Sequence, residues 1–122
     1  MNYVLGTVAL LLVIIVLRSF KNTSGVNHMN SDEFKTSMRN GTILDVRTKN
    51  EFKTGHIQNA ICIPVNTLMN NLSKLDKSKP IYVYCASGSR SSSAARYLVN
   101  NGYEVFNLRG GVNSYNGTLT RR

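Results

Sequence analysis

A short apolar run leads directly into a cysteine-containing loop, and this junction constrains the fold more than any other stretch of the chain. The run, Ile81–Tyr84, alternates β-branched and aromatic residues, a pattern that predicts a strand. The loop reads Cys85, Ala86, Ser87, Gly88, Ser89, Arg90, and apolar positions recur at helical spacing after it. The thiol is therefore predicted to lie between a strand and the N-terminus of a helix.

That position has chemical consequences for Cys85. The first N–H groups of a helix have no partner inside it, and a loop of small residues lets further amides turn towards the sulfur. We expect a lowered pKa and a nucleophilic thiolate, with Arg90 adding positive charge at the rim. The residues predicted to bind substrate are Ala86, Ser87, Gly88, Ser89 and Arg90. The alternative is that Cys85 is a small core residue at a strand end.

Composition narrows the class of protein. The 122 residues are enough for one domain with a core. The two cysteines form neither a disulfide framework nor a metal-binding spacing, so no metal site is expected. The sequence implies no organic cofactor either. The net charge is +9, but Lys and Arg are scattered, which favours solvated faces and attraction to anionic lipids or small anions over nucleic acid.

The N-terminal segment is apolar and uncharged over residues 3–17, and Arg18 and Lys21 follow it. A secretory signal would carry its charges before the apolar run, and a core helix would have a polar face. We therefore predict a single-pass membrane anchor over 1–20, a linker over 21–27, a domain over 28–118 and a basic tail over 119–122. The flanking charges favour a cytoplasmic domain.

The order of elements predicts an α/β domain. Alternating signals indicate a parallel sheet covered by helices on both faces, with ligands at the carboxyl ends of the strands. The predicted strands are 42–46, 60–63, 81–84 and 103–108. The predicted helices are one capped by Asn30 or Ser31 and ended by Gly41, a short one over 50–53, and two over 65–72 and 90–100.

Several other residues are candidates for structural roles, and two of them, His56 and Cys62, are also candidates for a role in the chemistry. Asp45 and Arg47 flank a strand end, where they are expected to pair with other charges and tie loops together. His56 is a candidate general base or, more simply, a hydrogen-bonded loop residue. Cys62 is a core residue or a resolving thiol, and the former is favoured. Arg109 and Gly110, with Gly111 after them, are expected to wall the pocket.

Three motifs in order resemble the rhodanese-like sulfurtransferase family over about residues 26–116. They are Asp45-Val46-Arg47 with Glu51-Phe52, Gly55-His56-Ile57 and Ala60; the Cys85 to Arg90 loop; and Leu108-Arg109-Gly110-Gly111-Val112 with Tyr115. The resemblance implies a rhodanese-like three-layer domain with a parallel central sheet. The apolar segment over 3–17 predicts one transmembrane helix before that domain. The resemblance also implies a mainly structural role for Asp45 and Arg47.

The resemblance implies sulfur transfer. The Cys85 thiolate would take sulfur from thiosulfate or a persulfide, and a thiol or cyanide-like acceptor would then remove it from the Cys85 persulfide. Two departures from the family are visible: Ala86 stands where many relatives have a basic residue, and Tyr115 where Trp is frequent. The first predicts a pocket with less positive charge to attract thiosulfate.

Two rival functions follow from the same loop. A phosphatase of this architecture would have five residues between Cys and Arg, as that family resemblance implies, whereas four separate Cys85 from Arg90. A membrane-tethered persulfide carrier or redox sensor would use the same thiolate with little turnover and deliver sulfur to an acceptor protein.

Overall fold

The central sheet has five parallel strands in the order β1-β5-β4-β2-β3. The computed structural model describes residues 25–122. The strands are β1 (Asn27–Met29), β2 (Thr42–Asp45), β3 (Ile61–Cys62), β4 (Ile81–Tyr84) and β5 (Val105–Leu108). Because β4 is the middle strand, the residue that follows it lies at the centre of the carboxyl edge of the sheet.

Three α-helices connect the strands: α1 (Ser31–Ser37), α2 (Lys49–Thr54) and α3 (Ser89–Asn100). Capping boxes begin the first two, with Asn30 and Thr48 as the caps. Shorter 3-10 segments cover Met38–Asn40, Val65–Lys74 and Val112–Ser114. The predicted parallel sheet flanked by helices is confirmed.

Two hydrophobic clusters cover the two faces of the sheet. Val83 and Cys85 pack on the face covered by α3, together with Ala94, Ala95 and Leu98. Tyr82 and Tyr84 pack on the opposite face with Phe34 of α1. Successive residues of a strand point to opposite faces, so Tyr84 and Cys85 belong to different layers of the domain.

The structure corrects two predicted elements and adds a strand that was not predicted. The first helix ends at Ser37 and continues as a 3-10 turn before Gly41. The predicted helix over 65–72 is instead the 3-10 segment Val65–Lys74, with non-helical dihedrals at Asn71. There the Thr67 hydroxyl and the Asn71 amide donate to nearby carbonyls and compete with helical hydrogen bonds. The short edge strand β1 has no alternating pattern, and the sequence did not indicate it.

No helix between residues 25 and 122 has the length and apolar character needed to cross a membrane. The segment over 3–17, for which the sequence predicts an anchor, lies outside the described residues.

Candidate active site

Cys85 follows the last residue of β4, and its side chain is completely buried. The turn after it depends on Gly88, whose φ of 109° lies in the left-handed region. Gly88 is the N-cap residue of α3, three residues after Cys85. The turn places its backbone next to the sulfur. The fold thereby aims the first turn of α3 at the thiol.

Three groups surround the Cys85 sulfur. The Gly88 N–H donates to Sγ at 3.1 Å and the Ser91 N–H donates at 3.2 Å. The Ser91 Oγ lies 3.3 Å from the same sulfur. Hydrogen bonds of this kind are stronger when the acceptor carries a charge, so the arrangement favours a thiolate.

Two opposing effects set the pKa of Cys85. Burial raises it, because a charged sulfur loses its hydration. The Ser91 hydroxyl and the amides of Ser91, Gly88 and Ser87 favour the charged form and together bring the pKa below its ordinary value. A buried thiol with a lowered pKa has the property required of a nucleophile.

Ser91 is a site residue that the sequence analysis missed. Its side chain is fully buried, and it contributes both an N–H and a hydroxyl to the sulfur. The signal was present, because Ser91 is the third residue of α3 and the N–H groups of a first helical turn have no internal partner. The substrate-binding loop predicted from the sequence ended at Arg90, one residue before Ser91.

Arg90 is engaged by a residue from another motif. Its guanidinium makes two hydrogen bonds with the Glu51 carboxylate, at 2.7 and 2.9 Å. The bond to Arg90 is the main reason that the pKa of Glu51 falls to about 2. The positive charge expected at the rim of the loop is thus present, but it is paired.

Asp45 and Arg47 form a buried ion pair at the end of β2. Arg47 Nη2 donates to Asp45 Oδ2 and to the Gly55 carbonyl, both at 2.7 Å. The Arg47 guanidinium also lies 5.6 Å from the centre of the Tyr84 ring. Asp45 pairs in register with Tyr84, so the ion pair lies on the face of the sheet opposite Cys85. Its contacts tie the end of β2 to the loop at Gly55.

His56 lies in a buried position on the loop after α2. Its Nδ1 is 2.9 Å from the Phe52 carbonyl and its Nε2 is 2.9 Å from the backbone oxygen of Arg122. The ring stacks on Phe52 with 3.6 Å between centroids. Both ring nitrogens thus face backbone oxygens, and neither faces the Cys85 sulfur.

The loop after β5 contacts the cysteine loop through its backbone. The amides that follow Gly111 bond to the carbonyls of Cys85 and Ala86, at 2.8 and 3.0 Å. A Cβ on Gly111 would overlap these two carbonyl groups, so the approach requires glycine. Gly110 directly precedes this contact, while the Arg109 side chain is exposed. The expected wall is therefore made by the backbone.

Cys62 is half-buried and lies outside both hydrophobic clusters, which corrects the prediction that it is a core residue. Its thiol donates to the Arg47 carbonyl at 3.6 Å. Burial is the main cause that raises its pKa. Cys62 pairs in register with Asp45. It therefore shares the face of Tyr84, with the sheet between it and Cys85.

Comparisons with known proteins agree with this geometry. The model of the rhodanese-like domain matches residues 30–118. Thiosulfate sulfurtransferase GlpE of Coxiella burnetii is 35% identical over 91 residues, covering 74% of this chain and 84% of that protein. The uncharacterized protein YqhL of Bacillus subtilis is 37% identical over 92 residues, covering 75% and 73%.

Solved structures show the same fold. The rhodanese-related protein of Thermoplasma volcanium has a TM-score of 0.75 and 28% identity, and the match covers 79% of this chain and 99% of that one. Since the motifs, the fold and the domain model coincide over the same residues, the chain belongs to the rhodanese-like domain family.

Proposed function

We propose that this protein is a sulfurtransferase in which the Cys85 thiolate accepts sulfane sulfur and passes it to a thiophilic acceptor. The observation that carries the proposal is the sulfur environment: a fully buried thiol with two N–H donors, a neighbouring hydroxyl and a lowered pKa. Relatives of similar length named as sulfurtransferases support the same class of reaction.

The first step is nucleophilic displacement on sulfur. The Cys85 thiolate attacks the outer sulfur of the donor, an S–S bond forms to Cys85, and the S–S bond within the donor breaks. With thiosulfate the leaving group is sulfite, and with a persulfide it is a thiolate. The bonding pair leaves with that group, so no external oxidant or reductant is needed.

The second step regenerates the enzyme. The persulfide on Cys85 carries its negative charge on the outer sulfur, and the amides of Ser89 and Arg90 in the first turn of α3 have no partner inside the helix. We propose that these amides and the loop amides from Ala86 onwards hold the charged sulfur. A thiolate or cyanide acceptor then attacks the outer sulfur and releases the Cys85 thiolate.

The charges around the loop favour a persulfide over thiosulfate as donor. Thiosulfate is a dianion and is attracted by an unpaired cation near the site. Here the guanidinium of Arg90 is paired with Glu51, and Ala86 stands where many relatives have a basic residue. A persulfide with little net charge depends less on such a cation for its binding.

The intermediate can be detected by intact mass. After incubation with thiosulfate or a persulfide donor, the protein should gain the mass of one sulfur atom and lose it on addition of cyanide or a dithiol. The Cys85→Ser variant should show no gain. A turnover assay then separates an enzyme from a carrier, because a carrier would transfer sulfur once per molecule.

We further propose that residues 3–17 anchor the protein in a membrane with the domain on the cytoplasmic side. The support is the uncharged apolar run and the basic residues Arg18 and Lys21 after it. A reducing cytosol also suits an unpaired reactive thiol. Labelling of the cysteines by a membrane-impermeant thiol reagent in intact cells would contradict this topology, and labelling only after lysis would support it.

A further inference from the structure

A recess of about 520 Å3 lies between α2, β3 and the C-terminal segment that carries Arg121 and Arg122. We call it the basic cleft. Cys62 contributes to its wall and lies on the face of the sheet opposite Cys85, because it pairs in register with Asp45 and Asp45 pairs with Tyr84. The basic cleft is therefore separate from the sulfur-transfer loop.

The rim of the basic cleft is positively charged. Its four cationic side chains are exposed, and none forms a salt bridge within residues 25–122. They are Lys49, Lys53, Arg121 and Arg122. The acidic residue of α2, Glu51, is directed instead at Arg90. The cleft thus has four cationic side chains at its mouth and no acidic side chain in its lining.

The wall of the basic cleft is apolar. Phe52 is stacked flat on the His56 ring, with 7° between the planes. Ile61 is 37% exposed, one of few large apolar side chains so open to solvent among the described residues. The raised pKa of Cys62 keeps its thiol uncharged, so it adds a polarizable surface and no charge.

The cleft is held in shape by hydrogen bonds on both sides. His56 and Thr120 exchange backbone hydrogen bonds of 2.8 Å, forming an antiparallel bridge to the C-terminal segment. The His56 ring contacts that segment again through the backbone oxygen of Arg122. Because the two walls are fixed in advance, a ligand would lose little affinity to ordering them.

We propose that the basic cleft binds a small organic anion, with an apolar or aromatic body against Phe52 and Ile61 and a sulfonate, phosphate or carboxylate at the cationic rim. Its volume lies in the range of about 300–1,000 Å3 usual for small-molecule sites, and such sites combine apolar walls with a few placed polar groups. This inference does not depend on sulfur transfer by Cys85.

Cys62 provides a reporter for the test. In the full chain carrying Cys85→Ser, kept in a nonionic detergent, the rate of Cys62 alkylation by N-ethylmaleimide is measured with increasing toluene-4-sulfonate. Saturable protection is expected. Toluene-4-sulfonamide, which has the same shape without the charge, should protect much less. Equal protection by the two compounds, or none by the sulfonate, would overturn the proposal.

Charge variants localise the binding. Lys49→Gln with Lys53→Gln should weaken the apparent affinity for the sulfonate about fivefold, since each exposed charge contributes modestly. The matched control, Lys74→Gln with Lys79→Gln, removes two exposed lysines outside the cleft and should leave the affinity unchanged.

Lys49 also influences the pKa of Cys62, so its replacement can change the alkylation rate by itself. The affinity for the sulfonate is therefore calculated within each variant, from its alkylation rates with and without the sulfonate. An equal loss in both charge variants would show nonspecific attraction and overturn the proposal. Protection by anionic vesicles but not by the sulfonate would overturn it in favour of a lipid surface.

Discussion

Ser91 approaches Cys85 with two groups at once: its N–H lies 3.2 Å from the Cys85 sulfur and its hydroxyl oxygen lies 3.3 Å from it. The hydroxyl is also 3.2 Å from the Gly88 carbonyl. When the thiol is protonated, the hydroxyl can accept from the sulfur and donate to that carbonyl. When the thiolate forms, rotation about one bond lets the hydroxyl donate to sulfur.

Replacement of Ser91 by alanine should therefore raise the pKa of Cys85 while leaving the N–H donor in place. A hydrogen bond to a charged group is strong enough that its loss should raise the pKa measurably. The thiolate fraction increases as pH rises through the pKa, so the rate of Cys85 alkylation by a neutral reagent should reach its midpoint at higher pH in the variant.

The matched control is Ser93→Ala, on an exposed position of the same helix. Its alkylation profile should coincide with that of the unmodified protein. Coinciding profiles for Ser91→Ala as well would show that the hydroxyl does not stabilise the thiolate.

Cys85→Ser should abolish sulfur transfer, whereas Cys62→Ser should leave it largely intact. The reason is that the α3 amides reach Cys85 alone, and the sheet separates the two thiols. Thiocyanate formation from cyanide measures the rate, and circular dichroism checks folding. Equal loss in two folded variants would make Cys62 part of the mechanism.

Glu51→Gln should increase the use of thiosulfate relative to an uncharged persulfide donor. The substitution removes the carboxylate that pairs with Arg90, and glutamine can still serve in the capping box of α2. The ratio of the two kcat/KM values at low salt gives the selectivity. Added salt should reduce this gain in selectivity, because it screens a partly exposed guanidinium.

The control for this change is Arg90→Ala, which should shift the selectivity in the opposite direction. An unchanged ratio in Glu51→Gln would mean that the charge of Arg90 does not reach the donor.

Gly111→Ala should damage the cysteine loop. A Cβ at this position meets the carbonyls of Cys85 and Ala86, and the φ of 63° is itself unfavourable for alanine. We expect a loss of about 2–4 kcal/mol in the free energy of unfolding. Gly102→Ala is the control: its φ of 90° is also positive, but only the Lys77 Nζ lies nearby, at 4.0 Å. It should cost about 1 kcal/mol and leave Cys85 reactivity unchanged.

Local signals explain what could be predicted from the sequence. The alternation in Ile81–Tyr84, the small residues before α3 and the capping box at Asn30 each act within a few residues, so the thiol at a helix end was foreseeable. The contact between Glu51 and Arg90 joins residues 39 positions apart, and only the folded sheet brings them together.

The basic cleft was unpredictable for the same reason. Its rim combines α2 with Arg121 and Arg122, which the sequence presents as a basic tail. The bridge between His56 and Thr120 brings that tail to α2.

Tyr115, which stands where many relatives have Trp, is half-buried against the cluster of Phe34 and Tyr84. The substitution therefore preserves aromatic packing at this position.

Asp45→Asn should strongly destabilise the fold without changing the reactivity of Cys85. The change leaves the Arg47 guanidinium, 6% exposed, without its charge partner in the interior. Breaking a buried ion pair on one side costs about 3–5 kcal/mol, whereas removing a partly exposed one, as in Glu51→Gln, costs about 0–1 kcal/mol. Urea unfolding followed by tyrosine fluorescence measures both variants. Because the Asp45 carboxylate lies on the face opposite Cys85, the alkylation midpoint of the folded variant should stay in place, and a shifted midpoint would instead assign the ion pair to the sulfur site.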